Sequence, residues 1–171
     1  MDRATRHTKF RGRILGLSVY EGEIEGRRVT REIIEHPGAA AILAFDPDGM
    51  VIMVNQHRFP RGRVLEIPAG TLEEGESPRD CALRELTEET GYMAGSIKPL
   101  LSYYPSIGYN TEVIHCFVAS DLKEAQSNPD EDEIISVERY TISNLLEMIR
   151  AGRIQDSKTI CALLAYTAYQ S

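Results

Sequence analysis

Glu85, Glu88 and Glu89 stand at positions i, i+3 and i+4, a spacing that puts three carboxylates on one face of a helix. Like charges this close repel one another, and no Lys follows at i+4 to balance them. Two readings are open: a solvated acidic helix, or a set of oxygen ligands for a hard divalent cation. The missing partner favours the second. Mg²⁺ is the natural candidate, because it takes oxygen ligands and usually arrives with substrate phosphates.

A helix is needed to hold these groups, and its signals are present. Ser77 is a favoured N-cap, Pro78 a favoured first residue, and Asp80 in the first turn suits the helix dipole. Gly91 marks the exit. Leu83, Leu86 and Thr90 lie on another arc and can face a core. Upstream, Pro68-Ala69-Gly70 opens a loop that carries Glu73, Glu74 and Glu76, with Gly75 allowing a tight turn.

Around this segment the pattern is mostly strand. Arg11 to Tyr20 and Arg28 to Glu35, joined through Glu21–Gly26, read as a hairpin. Ala39 to Phe45 is a buried strand, Asp46-Pro47-Asp48-Gly49 a turn, and Val51 to Val54 the returning strand, which together give a second hairpin. Further strands are expected over Ile97 to Tyr104, Val113 to Ala119 and Ile134 to Tyr140. Helices are expected over Ser143 to Ala151 and Ser157 to Tyr169. Strands mixed with a few helices imply an α/β (α+β) sandwich around a mixed sheet.

The 171 residues suit one domain with a terminal extension, and a net charge of −7 argues against bulk nucleic-acid binding. The basic cluster Arg3, Arg6, Lys9, Arg11 and Arg13 could attract phosphate, against the plainer reading of a solvated tail or strand face. No apolar run approaches the roughly 18 residues of a membrane span, and the N-terminus has no signal-peptide core. Cys81, Cys116 and Cys161 are widely spaced and fit free thiols, so a cytoplasmic location is expected. His7, His36 and His57 have no zinc-type spacing, and His115 reads as a core or supporting histidine.

The stretch runs Gly70, five residues, Glu76, seven residues, Arg84-Glu85-Leu86, one residue, Glu88-Glu89, one residue, Gly91-Tyr92. It resembles the box of the Nudix hydrolase family, GX5EX7REUXEEXGU with U a bulky apolar residue. Every fixed position matches, with Tyr92 at the last apolar place. The resemblance implies a Nudix α/β/α sandwich over 37–171. Residues 1–36 would be an N-terminal β-hairpin extension that dimerises the protein. It also implies Glu85, Glu88 and Glu89 as metal ligands, helped by the carbonyl of Ala69. Arg84 would orient a box glutamate or pair with Glu88 along the helix, and Glu76 would support the loop.

The flanks are similar to the ADP-ribose pyrophosphatase and nucleoside diphosphate sugar subgroup. They comprise Gln56-His57-Arg58, Leu65 to Gly70, and Pro105 to Glu112. Ile107 stands where that subgroup usually has proline. By this likeness Gly108 and Glu112 belong to a substrate loop. Arg58 would contact a phosphate or terminal ribose, or be a surface strand residue. Glu66 would fix a nucleobase or the bound geometry. Glu131 and Glu133 map to a catalytic Glu-x-Glu loop, against the plainer reading of a solvated acidic turn. The implied reaction is hydrolysis of ADP-ribose, or a similar sugar nucleotide, to a nucleoside monophosphate and a sugar phosphate. It would use two or more Mg²⁺ or Mn²⁺ ions and run in a homodimer. The alternatives are GDP-mannose or another nucleoside diphosphate derivative as substrate, or a sensor module that binds without cleaving.

Overall fold

The computed structural model describes residues 4–128 and 134–170; Arg3, Glu131 and Glu133 lie outside them. The chain opens with an antiparallel sheet of β1 (Thr5–Arg11), β2 (Gly16–Ile24) and β3 (Arg27–Glu35), in that order. The expected hairpin is therefore three-stranded, and its turn is shorter and later than expected. Glu25 and Gly26 both adopt positive φ, 50° and 77°, between the paired residues Ile24 and Arg27. Such a two-residue turn matches the twist of the flanking strands, so Gly22 and Glu23 stay in the ladder. All seven residues of β1 are exposed, so it carries no apolar alternation to betray it. The end of β3 joins the rest of the chain through Ile34 N–H to Tyr109 O (2.8 Å) and Thr111 N–H to Ile34 O (2.9 Å).

The central layer is built on β4 (Ala39–Ala44), every residue of which is buried. It runs parallel to β9 (Ile114–Glu124) and antiparallel to β7 (Ala69–Thr71), and β8 (Tyr92–Tyr103) closes the order β7-β4-β9-β8. A second antiparallel sheet has the order β10 (Ile135–Tyr140), β5 (Val51–Arg58), β6 (Gly62–Glu66). Between β4 and β5, Asp46 Oδ1 accepts from Asp48 N and Met50 N, each at 2.9 Å, which fixes the expected turn. The expected second hairpin does not form: the two strands meet at the Phe45–Val51 bridge and then part into different sheets.

Side chains alternate across a strand, and β4 uses both faces. Ala39, Ala41 and Leu43 join Met53, Ile67, Leu145 and Leu163, the last two from α2 (Ile142–Arg150) and α3 (Ser157–Gln170). Ala40, Ile42 and Ala44 join Ile52, Cys81, Ala82 and Leu86, the last three from α1 (Pro78–Thr90). This is the expected helix–sheet–helix layering. Burial of Leu86 alone is worth about 1.5–3 kcal/mol. Among the described residues, no helix is long and apolar enough to cross a membrane.

The caps fix where the helices begin and end. Ser77 Oγ accepts from Asp80 N, and Gly91, at φ 72°, gives its N–H to Thr87 O. Asp156 Oδ2 accepts from Thr159 N at 2.9 Å and caps α3. The Thr159 hydroxyl also donates to Asp156 and accepts from Ile67 N at 2.9 Å, which pins α3 to the link between β6 and β7. Thr159 is fully buried. Thr159→Val leaves the Ile67 N–H unpaired in the interior, and urea denaturation is expected to register a loss of about 1–3 kcal/mol.

Candidate active site

The site forms where α1 comes down on β7. A Cβ placed on Gly70 would lie 1.7 Å from Glu85 Oε1, so only glycine allows that carboxylate to reach the strand. One residue earlier, Ala69 N–H donates to Glu89 Oε2 at 3.0 Å. Gln56 Nε2, from β5, reaches Glu89 Oε1 at 3.2 Å. Glu89 is 2% exposed, so a buried carboxylate ties the helix to both sheets.

Arg84 organises the other carboxylates. Its Nη1 donates to Glu85 Oε1 at 2.7 Å and to Glu88 Oε2 at 2.9 Å. Its Nε and Nη2 meet the two oxygens of Glu76 at 2.9 and 3.1 Å, and Nη2 also reaches Thr71 O at 3.3 Å. Glu76 in turn accepts from Glu73 N at 3.0 Å, which closes the loop before the helix. Hydrogen bonding to Arg84 holds the Glu76 carboxyl at about 2, against an ordinary 4.5, and the same contact raises the Arg84 guanidinium. Beneath them, burial pushes the Cys81 thiol up to about 12, so it is a packing group.

These elements line a cleft of about 1080 Å³, large enough for a nucleotide-sized ligand. Ala69, Arg84, Glu85, Glu88, Arg58 and Glu112 all line it. Glu89 and Glu66 do not; they stand behind the wall. Glu66 is 2% exposed, accepts from Arg58 Nε at 2.8 Å, and is engaged on its other oxygen by Lys158. Glu112 accepts from Asn110 Nδ2 at 3.2 Å, with His36 Nδ1 3.8 Å away. Gly108 lies in the exposed turn before it, away from the cleft lining, and nothing lies within 4 Å of where its Cβ would be. Glu131 and Glu133 fall outside the described residues. His115 Nδ1 sits 2.8 Å from Ser102 Oγ on the neighbouring strand, away from the cleft lining.

Sequence reasoning missed Lys158, Asp156 and His36 as site residues, all of which line the cleft; Arg13, from the basic cluster, lines it too. Asp156 before an apolar helix was a readable cap signal. The Lys158–Glu66 pair spans 92 positions and leaves no local trace.

Among the described residues, no three His, Cys, Asp or Glu side chains converge as a metal-holding group. The donor chemistry nevertheless fits a hard divalent cation. Glu85 and Glu88 offer oxygen only, and one cationic nitrogen of Arg84 already bridges them. The cleft lining carries four cationic side chains against five carboxylates, so an anionic ligand needs added positive charge.

Comparison with known proteins bears on this arrangement. The family model described as NUDIX domain matches residues 35–163. The chain is 41% identical over 158 residues to an ADP-ribose pyrophosphatase of Bacillus subtilis, covering 90% of this chain and 85% of that one. It is 43% identical over the same span and coverage to a methanol dehydrogenase activator of Bacillus methanolicus. It is 39% identical over 144 residues to a GDP-mannose pyrophosphatase of Yersinia enterocolitica, covering 78% and 75%. The crystal structure of an ADP compounds hydrolase superposes with a TM-score of 0.85 at 21% identity, covering 98% and 93%, a likeness of fold.

The lowered Glu76 carboxyl makes a stability prediction with a definite sign. Its contribution is fully present above the unfolded value of about 4.5 and is lost as pH falls toward about 2. Glu76→Gln is therefore expected to be destabilised most above pH 5. The gap to wild type should narrow steadily from pH 5 to pH 3 in urea titrations.

Proposed function

The chain belongs to the Nudix family, and from that premise we propose that it hydrolyses the pyrophosphate of ADP-ribose or a similar nucleoside diphosphate sugar. The products are a nucleoside monophosphate and a sugar phosphate, AMP and ribose 5-phosphate in the first case. The observation that carries this reading is the two-sided cleft. Carboxylates organised by Arg84 line one side, and Arg58 and Lys158, set by a single buried glutamate, line the other. Pyrophosphate hydrolysis needs both charge neutralisation and a held, in-line geometry. ADP-ribose ranks first because a relative 41% identical across 90% of this chain is named an ADP-ribose pyrophosphatase. GDP-mannose is the second reading, supported by the Yersinia relative and by Ile107 in the substrate loop.

In this reading Glu85, Glu88 and Glu89, with the carbonyl of Ala69, would hold the metal. The group held there would be Mg²⁺ or Mn²⁺, two or more ions, and when bound it would supply charge neutralisation on the pyrophosphate and a more acidic attacking water. Arg84 fixes the Glu85 and Glu88 carboxylates. Arg58 and Glu112 position the substrate, and Gly108 belongs to the loop that carries Glu112. A carboxylate accepts the proton of the attacking water: Glu131 or Glu133 by likeness to the family, with Glu89 the alternative. Three free cysteines suit a reducing cytoplasm.

The extension over 1–36 is the proposed dimerisation element, with 37–171 the catalytic unit. Phe10, Ile14, Leu15 and Ile24 are each more than 40% exposed there, apolar area that a second copy would cover.

Product analysis by ³¹P NMR with Mg²⁺ tests the reaction on ADP-ribose, GDP-mannose, UDP-glucose, a diadenosine polyphosphate and dGTP. AMP and ribose 5-phosphate should appear fastest, from ADP-ribose. Glu85→Gln is expected to lower turnover by about 100-fold or more, and Arg84→Lys by about 10–100-fold. Near-wild-type turnover of Glu85→Gln at saturating Mg²⁺ would sink the ligand assignment. Sedimentation at micromolar concentration should give a species of twice the chain mass; a monomer there would exclude an obligate dimer.

A further inference from the structure

Glu66 holds two cations through its two oxygens, Arg58 on one and Lys158 on the other. It is 2% exposed and stands behind the cleft, so its place is that of a positioning residue. Lys158 lines the cleft, and its side chain is 12% exposed. The ammonium has three hydrogens to donate. Glu66 and Asp156 Oδ1 (3.0 Å) engage it, which leaves one donor for a ligand. Asp156, on the same wall, keeps acceptor capacity beyond its bonds to Lys158 and Thr159.

The start of α3 gives the cleft only Asp156, Ser157 and Lys158, all polar. Ile14, Phe59 and Leu72, which line the cleft from other segments, offer the apolar area a nucleobase prefers. A wall of one held ammonium, one carboxylate and one hydroxyl suits a group that both donates and accepts hydrogen bonds. A sugar is such a group.

We propose that Lys158 is a specificity-determining residue, recognising the hydroxyls of the sugar on the distal phosphate from its seat between Glu66 and Asp156. This rests on the hydrolase reading above. The test compares two substrates that share adenosine and pyrophosphate: ADP-ribose, and the methyl ester of ADP, in which a methyl group replaces the sugar. Wild type should prefer ADP-ribose. Lys158→Met should lower kcat/KM for ADP-ribose by about tenfold or more, chiefly through KM, because a hydrogen bond from a charged donor is lost. The methyl ester should change by less than about twofold. Lys158→Arg keeps a cation on Glu66 and serves if the Met variant does not fold; it too should lower the ratio of the two efficiencies. That ratio does not depend on the fraction of enzyme folded. An unchanged ratio in either variant overturns the proposal, as does an equal loss on both substrates. Wild type that cleaves both esters equally well defeats this proposal alone. Wild type that cleaves neither defeats the ADP-ribose reading on which the proposal rests, and the proposal with it.

Discussion

The site depends on one guanidinium. Arg84 is about a quarter exposed and meets Glu76, Glu85 and Glu88 together, while one nitrogen also reaches the Thr71 carbonyl. Three elements converge there: the loop before α1, the strand β7, and α1 itself. Lysine could not do this, because a point charge lacks the planar fork that engages Glu76 on two nitrogens and still bridges the other two carboxylates. Without the cation, three carboxylates would face one another in partly buried surroundings, where losing a charge partner costs far more than at an exposed surface. The short loop, its tight turn at Gly75 and the helix start at Ser77 then follow as ways of delivering Glu76 to Arg84.

Glu89 solves a different problem. Strand β7 is three residues long and pairs with β4 on one side only, so its other side has amide groups to satisfy. The Ala69 amide is answered by Glu89 from the helix, and Gly70 removes the side chain that would keep the helix away. The same carboxylate reaches β5 through Gln56, so the two sheets and α1 share one buried anchor. Its tether explains why Glu89 sits deeper than Glu88, although both belong to one acidic face.

What could be read in the residues was local. Capping and spacing located α1 to the residue, short apolar runs found β4 and β5, and the order of box positions carried the likeness to the family. What escaped was either featureless or distant. Strand β1 is exposed along its whole length, so nothing in its pattern separates it from a solvated tail. Strand β7 is too short to show a period. The Arg58–Glu66–Lys158 chain depends on α3 folding back over the β6–β7 link, which the Thr159 contact to Ile67 fixes only in three dimensions. Glu66 was legible as a site residue, but its place behind the wall was not.

The two sides of the cleft are unequal in charge, and the inequality constrains what can enter. On one side Arg58 and Lys158 are largely offset by Glu66 and Asp156, so their fixed charge attracts a pyrophosphate weakly. On the other, Arg84 is outnumbered by the carboxylates it holds. The chain as a whole carries −7, so its long-range field also repels an anion. A free nucleotide sugar therefore meets a site that opposes its charge. The opposition turns to attraction when the nucleotide arrives with a divalent cation that the acidic side can share. The residues that look worst placed for binding a pyrophosphate are, on this argument, the ones that make its metal complex the preferred guest.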